Sequence, residues 1–215
     1  MPYFQNKNIN LLLIHIPKTG GTSLERYFSK KFNIKLDNKS LYMYLPKNLK
    51  EKFKINTSLQ HISYSTIFEY KNKLNVCFDN IKIITIVRNP YERLVSDLCH
   101  FKKLNIDTSQ EEVFNIIENY ITDTNLDNHN LPQYTFITNK DKILIPNIHI
   151  LHTETLKEDM INLGYTDFNE HIKTKSNINT DEINYYDFLN NKSIQLINDF
   201  YDYDFRLFNY TKIVI

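Results

Sequence analysis

Between Leu11 and Phe32 the chain passes from an apolar run, through a paired-glycine turn, into a segment whose apolar residues recur at helical spacing. Leu11, Leu12, Leu13, Ile14 and Ile16 predict a strand over Asn10–Ile16, and the lack of polar alternation predicts that both its faces are covered. Leu24, Tyr27, Phe28 and Phe32 predict a helix over Thr22–Phe32. The turn between them, Pro17-Lys18-Thr19-Gly20-Gly21-Thr22-Ser23, holds two of the three glycines in 215 residues. A glycine-bearing corner that opens a helix lets the backbone approach an anion and aims N–H groups at it. It points to a phosphate-bearing donor, and so to group transfer.

A second corner of the same kind follows. Ile81–Val87 is β-branched and nearly all apolar, as a central parallel strand is. Asn89-Pro90 supplies a cap and a proline for the first helical position, and Leu94, Val95, Leu98 and Phe101 give that helix an inner face to about Lys103. Ser109-Gln110-Glu111-Glu112 reads as a capping box opening a helix through Tyr120. Ile148–Leu151 is a short strand, Thr155-Leu156-Lys157-Glu158 a second capping box, and Gly164 the stop of that helix. A last helix covers Ser193–Tyr201, and the polar stretch 33–56 carries a weakly marked short one. Strands alternating with helices predict an α/β fold: one P-loop-like domain, 1–215, with a central, mostly parallel sheet flanked by helices. Ligands of such sheets gather beyond the C-terminal strand ends, where both corners lie, so the two corners serve one ligand.

Composition narrows the partners. A formal charge of +1 gives no global attraction for nucleic acid or an anionic membrane. The first apolar run is too short to span a bilayer and lacks the flanks of a signal peptide, which predicts a soluble, cytoplasmic protein. Cys77 and Cys99 fit no metal-ligand spacing, and both are expected to be buried, reduced thiols.

The chemistry of the corners can be read from their side chains. A Walker loop places its lysine after the last glycine, whereas here Lys18 precedes Gly20-Gly21 and the first Walker glycine is missing. The shorter loop suits a single phosphate or phosphosulfate: Lys18 supplies charge, Gly20 and Gly21 close backbone approach, Thr22 and Ser23 hydroxyl and N–H donors. Arg88 leaves the end of a buried strand, which is costly without an anion to meet it, and Ser96 lies two helical turns on. Arg93, on the first turn of the helix, is expected either to pair with a neighbour such as Glu92 or Asp97 or to contact the ligand.

Two segments carry a resemblance. His15-Ile16-Pro17-Lys18-Thr19-Gly20-Gly21-Thr22-Ser23 and Val87-Arg88-Asn89-Pro90-Tyr91-Glu92-Arg93-Leu94-Val95-Ser96 resemble the donor-binding motifs of carbohydrate sulfotransferases, in the branch of heparan sulfate and chondroitin/dermatan O-sulfotransferases. The resemblance implies 3′-phosphoadenosine 5′-phosphosulfate (PAPS) as donor and its bisphosphate (PAP) as product. It implies that Pro17 to Ser23 hold the 5′-phosphosulfate and that Arg88 and Ser96 hold the 3′-phosphate. Further similarity lies in His129-Asn130-Leu131-Pro132-Gln133, in Leu151–Asp159, in Lys173-Thr174-Lys175-Ser176 (a nucleotide-side loop that would contribute Lys175) and in Tyr201–Phe208. The membrane anchor and stem of Golgi members have no counterpart in this sequence, residues 33–57 match nothing, and Thr174 replaces the usual asparagine.

Sulfuryl transfer is an in-line displacement in which donors around the leaving phosphate take up its growing charge, so no metal is expected. Lys18 is read as that donor. The acceptor, a carbohydrate or other hydroxyl, needs a general base, and His61 in Leu59-Gln60-His61-Ile62-Ser63-Tyr64 is the candidate, because related enzymes carry a catalytic histidine in a similar segment between the two motifs. His15 is expected to orient backbone, His100 to pack near the site, and His129 with Gln133 to hydrogen-bond the substrate. Glu69 and Asp79 are the alternative bases. The rival readings are a P-loop kinase using ATP and an inactive nucleotide-binding protein.

Overall fold

The computed structural model describes residues 1–42, 44, 45, 50, 51, 55, 57–105, 107–171 and 184–215, with backbone alone at 170 and 171. A four-stranded sheet runs in the order β1 (Tyr3–Gln5), β2 (Asn10–Ile14), β3 (Lys82–Val87), β4 (Ile148–His152). β2, β3 and β4 are parallel, and β1 pairs antiparallel with β2 through Tyr3–Leu12 and Gln5–Asn10. The fold is therefore α/β with a mostly parallel sheet, as the alternating pattern predicts. β1 is the addition: three residues carry too little pattern to be read as a strand.

The register explains why β2 and β3 show no polar alternation. Successive side chains point to opposite faces, and here both faces are covered. Leu12, Ile14, Ile83 and Val87 enter one core with Leu59, Ile67 and Phe136. Leu11, Leu13, Ile84 and Ile86 enter another with Leu24, Tyr27 and Phe28 of α1 (Gly21–Phe32). Thr85, the one polar residue inside β3, is fully buried and donates its hydroxyl to Ile14 O at 2.9 Å.

Helices start where local chemistry prescribes. Short α2 spans Tyr64–Glu69, and Ser63 caps it by accepting Thr66 N–H. α3 (Pro90–His100) opens with Pro90 at its first position and the Asn89 side chain accepting Tyr91 N–H. α4 (Gln110–Thr122) carries the full capping box of Ser109 and Glu112. α5 (Leu156–Asn162) departs from expectation: Thr155 does not cap the helix, and its hydroxyl bonds Asp159, which also takes His152 N–H. The Thr155 N–H that the box glutamate would accept goes instead to His152 O at 3.2 Å. Gly164, at φ +89°, ends α5 as expected, with Gly164 N–H on Ile161 O and Tyr165 N–H on Met160 O.

After α6 (Phe168–His171), α7 (Asn191–Phe200) and α8 (Asp202–Leu207) complete the chain. A third core joins α3, α4, α7 and α8 through Tyr91, Leu94, Val113, Ile117, Ile197 and Phe205. The short helix expected within 33–56, and the Lys173–Ser176 loop with Lys175, lie largely or wholly outside the described residues. Neither cysteine is in a disulfide; where burial was expected for both, Cys77 is exposed and Cys99 half-buried. No helix among the described residues is long and apolar enough to cross a membrane.

Candidate active site

The two strand-to-helix corners open onto one cavity of about 700 Å³. Pro17, Lys18, Gly20, Gly21 and Thr22 line it from the first corner, and Arg88 and Ser96 from the second. His61 joins from the 3-10 turn Leu59–His61, with His15, His100 and His129 around it. Of the candidate residues described, Thr19 and Ser23 do not line the cavity. The Thr19 side chain is fully buried and gives its hydroxyl to Ile16 O at 2.8 Å, so Thr19 shapes the loop from below.

The first corner is held in an uncommon backbone shape. Lys18 has φ +64° and Gly20 φ +90°, the left-handed region that non-glycine residues rarely adopt. Gly21 answers a different need. A Cβ there would lie 2.5 Å from His15 Cδ2, inside contact distance of a buried ring.

The carbonyls of this loop are all turned to protein donors. Ile16 O accepts from Thr19 Oγ1, Pro17 O from Arg93 Nε at 3.0 Å, and Lys18 O from Arg88 Nη1 at a long 3.5 Å. Thr19 O accepts from Thr153 Oγ1 at 2.8 Å and Gly20 O from Ser23 N–H at 3.0 Å. Ahead of Ser23, the N–H groups of Gly21 and Thr22 at the start of α1 have no carbonyl within the helix to bond. The corner thus presents donors and hides acceptors, which is an anion-binding polarity. Burial, with Arg88 adding to it and Asp97 opposing, lowers the Lys18 ammonium below its ordinary range.

At the second corner the structure revises two expectations. Arg88 has a carboxylate partner: Nη2 and Nε lie 3.3 and 3.4 Å from Glu92, and the guanidinium stacks on Tyr185 at 5.0 Å. Among the described residues Arg93 forms no close ion pair. It donates to three carbonyls, Pro17, Leu131 and His129 (2.6 Å), and so ties the first corner to the 129–133 segment. Gln133 is likewise scaffold, not a substrate contact. It is fully buried, accepts Arg88 N–H and donates to Arg88 O, both at 2.9 Å. Asp204 in turn accepts Gln133 and Tyr134 N–H.

His61 lies at the heart of a dyad. Its Nδ1 is 2.8 Å from Asp127, whose carboxylate also accepts Ser58 N–H and hydroxyl. Burial, with smaller contributions from His15 and His129, pushes the His61 imidazolium down to about 4 against the Asp127 bond. Burial raises Asp127, but the bonds from His61 and Ser58 more than offset it and hold the carboxyl at about 2. At neutral pH the dyad is a neutral imidazole on a carboxylate, with Nε2 as the remaining ring nitrogen. Glu69 and Asp79, the alternative bases, are exposed and outside this lining.

Two more histidines repeat the pattern. His15 Nδ1 bonds buried Glu25, which Gln60 also holds at 2.8 and 3.1 Å. His129 Nδ1 bonds Asp97 at 2.8 Å, and Asp97 accepts from Tyr120. His100 stacks parallel on His129, centroids 6.0 Å apart. Burial would raise Glu25 and Asp97, but the histidine bonds reverse that and lower both. Glu25, Asp97, Asp127 and Tyr185 have no local sequence signal.

A family model described as "Sulfotransferase family" matches residues 1–211. The chain belongs to the sulfotransferase family. No curated protein and no solved structure matches it. In this sulfotransferase one cavity lies between the glycine-bearing corner and the second, basic corner, and the carboxylate-backed His61 stands in the same lining.

Proposed function

We propose that this sulfotransferase moves the sulfuryl group of PAPS to an acceptor hydroxyl, with a sugar hydroxyl as the acceptor class on the strength of the motif resemblance. The observation that carries the reading is the convergence of both corners and the His61–Asp127 dyad on one cavity. In this reading the 5′-phosphosulfate lies over the Pro17–Ser23 loop and accepts from its N–H groups and Lys18. Arg88 and Ser96 hold the 3′-phosphate. Arg88 spends two donors on Glu92, which leaves Nη1, only loosely engaged, for the anion. By the motif resemblance alone, Lys175 is a further nucleotide contact.

The transfer is an in-line displacement. The acceptor oxygen attacks sulfur, and the bond from sulfur to the bridging oxygen breaks. The electron pair leaves on the 5′-phosphate of PAP, where Lys18 takes up the charge. The acceptor proton passes to His61 Nε2, and Asp127 steadies the imidazolium that forms. Removal of one such charge-stabilising donor costs about 3–4 kcal/mol in the barrier, so Lys18→Ala slows turnover by two to three powers of ten.

The test combines titration with PAP and transfer from sulfur-labelled PAPS to a panel of glycans, tyrosine peptides and small alcohols. PAP binding together with a labelled glycan supports the reading. PAP binding with no labelled product from any acceptor makes the chain a nucleotide-binding protein. Absence of PAP binding refutes the donor assignment.

A further inference from the structure

Three histidines around the cavity share one construction. His15, His61 and His129 each commit Nδ1 to a carboxylate, and their rings meet edge to face at 5.2 Å (His15–His61) and 4.9 Å (His61–His129). Asp97 on Nδ1 of His129 fixes that ring's tautomer and makes Nε2 the better ligand, which is how proteins prepare imidazoles for metals. The carboxylates are themselves held, Asp97 by Tyr120 and Asp127 by Ser58. One ligating atom each from His61, Asp127 and His129 lies within 4.8 Å of the other two. These side chains are only 11%, 22% and 11% exposed.

We propose that His61, Asp127 and His129 form a binding site for a divalent transition-metal ion of the zinc class, with its remaining position open to the cavity. Two imidazoles and a carboxylate suit zinc better than magnesium or calcium, which take oxygen ligands. A zinc ion with ligands at about 2.0–2.2 Å sets them about 3.4 Å apart, so the 4.8 Å limit closes with small side-chain rotations. Asp127 has room for it. The ion takes the place of the proton between His61 Nδ1 and Asp127, and of the about four lone-pair sites of the carboxylate only two stay with Ser58 N–H and Ser58 Oγ. His129 contributes Nε2, because Asp97 holds its Nδ1.

The ion and sulfuryl transfer compete. Bound metal occupies the His61 ring that the transfer reading needs as base, so zinc inhibits and a chelator restores turnover. Metal binding itself goes beyond the transfer reading and is measured without donor or acceptor.

The experiment uses the full chain, freed of tags and metal. Zinc chloride is titrated by calorimetry, and cobalt(II) by its visible d–d bands. The expected result is one ion per chain, with the intense cobalt bands of four or five ligands including nitrogen. His129→Ala and His129→Gln each weaken zinc at least about tenfold, and Asp97→Asn, which touches the ion only through His129, weakens it about 10- to 100-fold. Cys77→Ser and Cys99→Ser leave the binding in place. Two results overturn the proposal: no zinc binding by the folded wild type up to about 1 mM, or binding that survives both His129 substitutions and is lost with Cys99→Ser.

Discussion

Asp127→Asn is the sharpest probe of the proposed transfer step. The asparagine keeps the size of the side chain, and its Oδ1 still accepts Ser58 N–H. Its amide, however, turns an N–H toward His61 Nδ1, where a carboxylate stood at 2.8 Å. Nδ1 must then accept, the ring proton moves to Nε2, and the nitrogen facing the cavity loses its lone pair. The imidazolium formed during transfer also loses the charge beneath it. A histidine base with the wrong tautomer costs up to about four powers of ten, and a lost general base about two to four. At 1.36 kcal/mol for each power of ten, this is about 2.7–5.4 kcal/mol of barrier. Asp127 is not in the cavity lining, so PAP affinity should change less than about threefold. The assay is kcat from labelled PAPS with the acceptor found in the panel, beside calorimetry with PAP. A kcat within threefold of wild type at unchanged PAP affinity would refute the assignment of His61 as base.

Arg88→Ala should weaken PAP about ten- to a hundredfold, the worth of a charged hydrogen bond of about 1.5–3 kcal/mol, and leave adenosine 5′-phosphate nearly unaffected. Equal loss for both nucleotides in calorimetry means that Arg88 does not hold the 3′-phosphate. Arg93→Met strips three carbonyls of a buried cationic donor. Leaving buried carbonyls unsatisfied costs about 1–3 kcal/mol each, so the substitution should cost at least about 3 kcal/mol and lower Tm by at least about 6 °C; a drop under 2 °C in calorimetry counts against the brace. Gly21→Ala forces a methyl against the His15 ring and should cost about 1–3 kcal/mol in denaturant unfolding. That penalty should shrink in a His15→Ala background, and an undiminished penalty would place its origin elsewhere.

The parts of the fold that can be read from sequence are those fixed by neighbours along the chain. β2 and β3 declare themselves because both faces of each are buried, and the Asn89-Pro90 start, the Ser109–Glu112 box and Gly164 each close their bonds within five residues. The cavity's loop, Arg88 and Ser96 are marked by the two corner motifs, and His61 by the resemblance to related enzymes. The carboxylates behind the histidines do not. Glu25, Asp97 and Asp127 reach partners 10, 32 and 66 residues away, and nothing in the spacing of either partner shows the pairing. Arg93 was misread for the same reason: Glu92 and Asp97 are near in sequence, but the carbonyls of Pro17 and His129 are nearer in space. Thr155 shows the converse case, a local capping motif whose N–H is taken by His152 O and whose hydroxyl is given to Asp159.

The hydrogen bonds around the first corner bear on why such a loop can stabilise charge without rearranging. A peptide loop has as many carbonyls as N–H groups, and an unpaired carbonyl facing an anion cancels the effect of a donor. Here the carbonyls from Ile16 to Gly20 are each occupied, three of them by side chains from outside the loop: Arg93, Arg88 and Thr153. Arg93 and Arg88 also sit on or beside the helix of the second corner, and Thr153 bonds Val87 O at the end of β3. The same contacts that blind the carbonyls therefore fix the distance between the corners. Donor orientation is set by the fold before any ligand arrives, so the cost of arranging dipoles is met in folding and not in the transition state. This also accounts for the position of Lys18 at φ +64°. A strained residue persists where the surroundings over-determine it, and flanking carbonyls anchored on both sides of Lys18 supply that constraint.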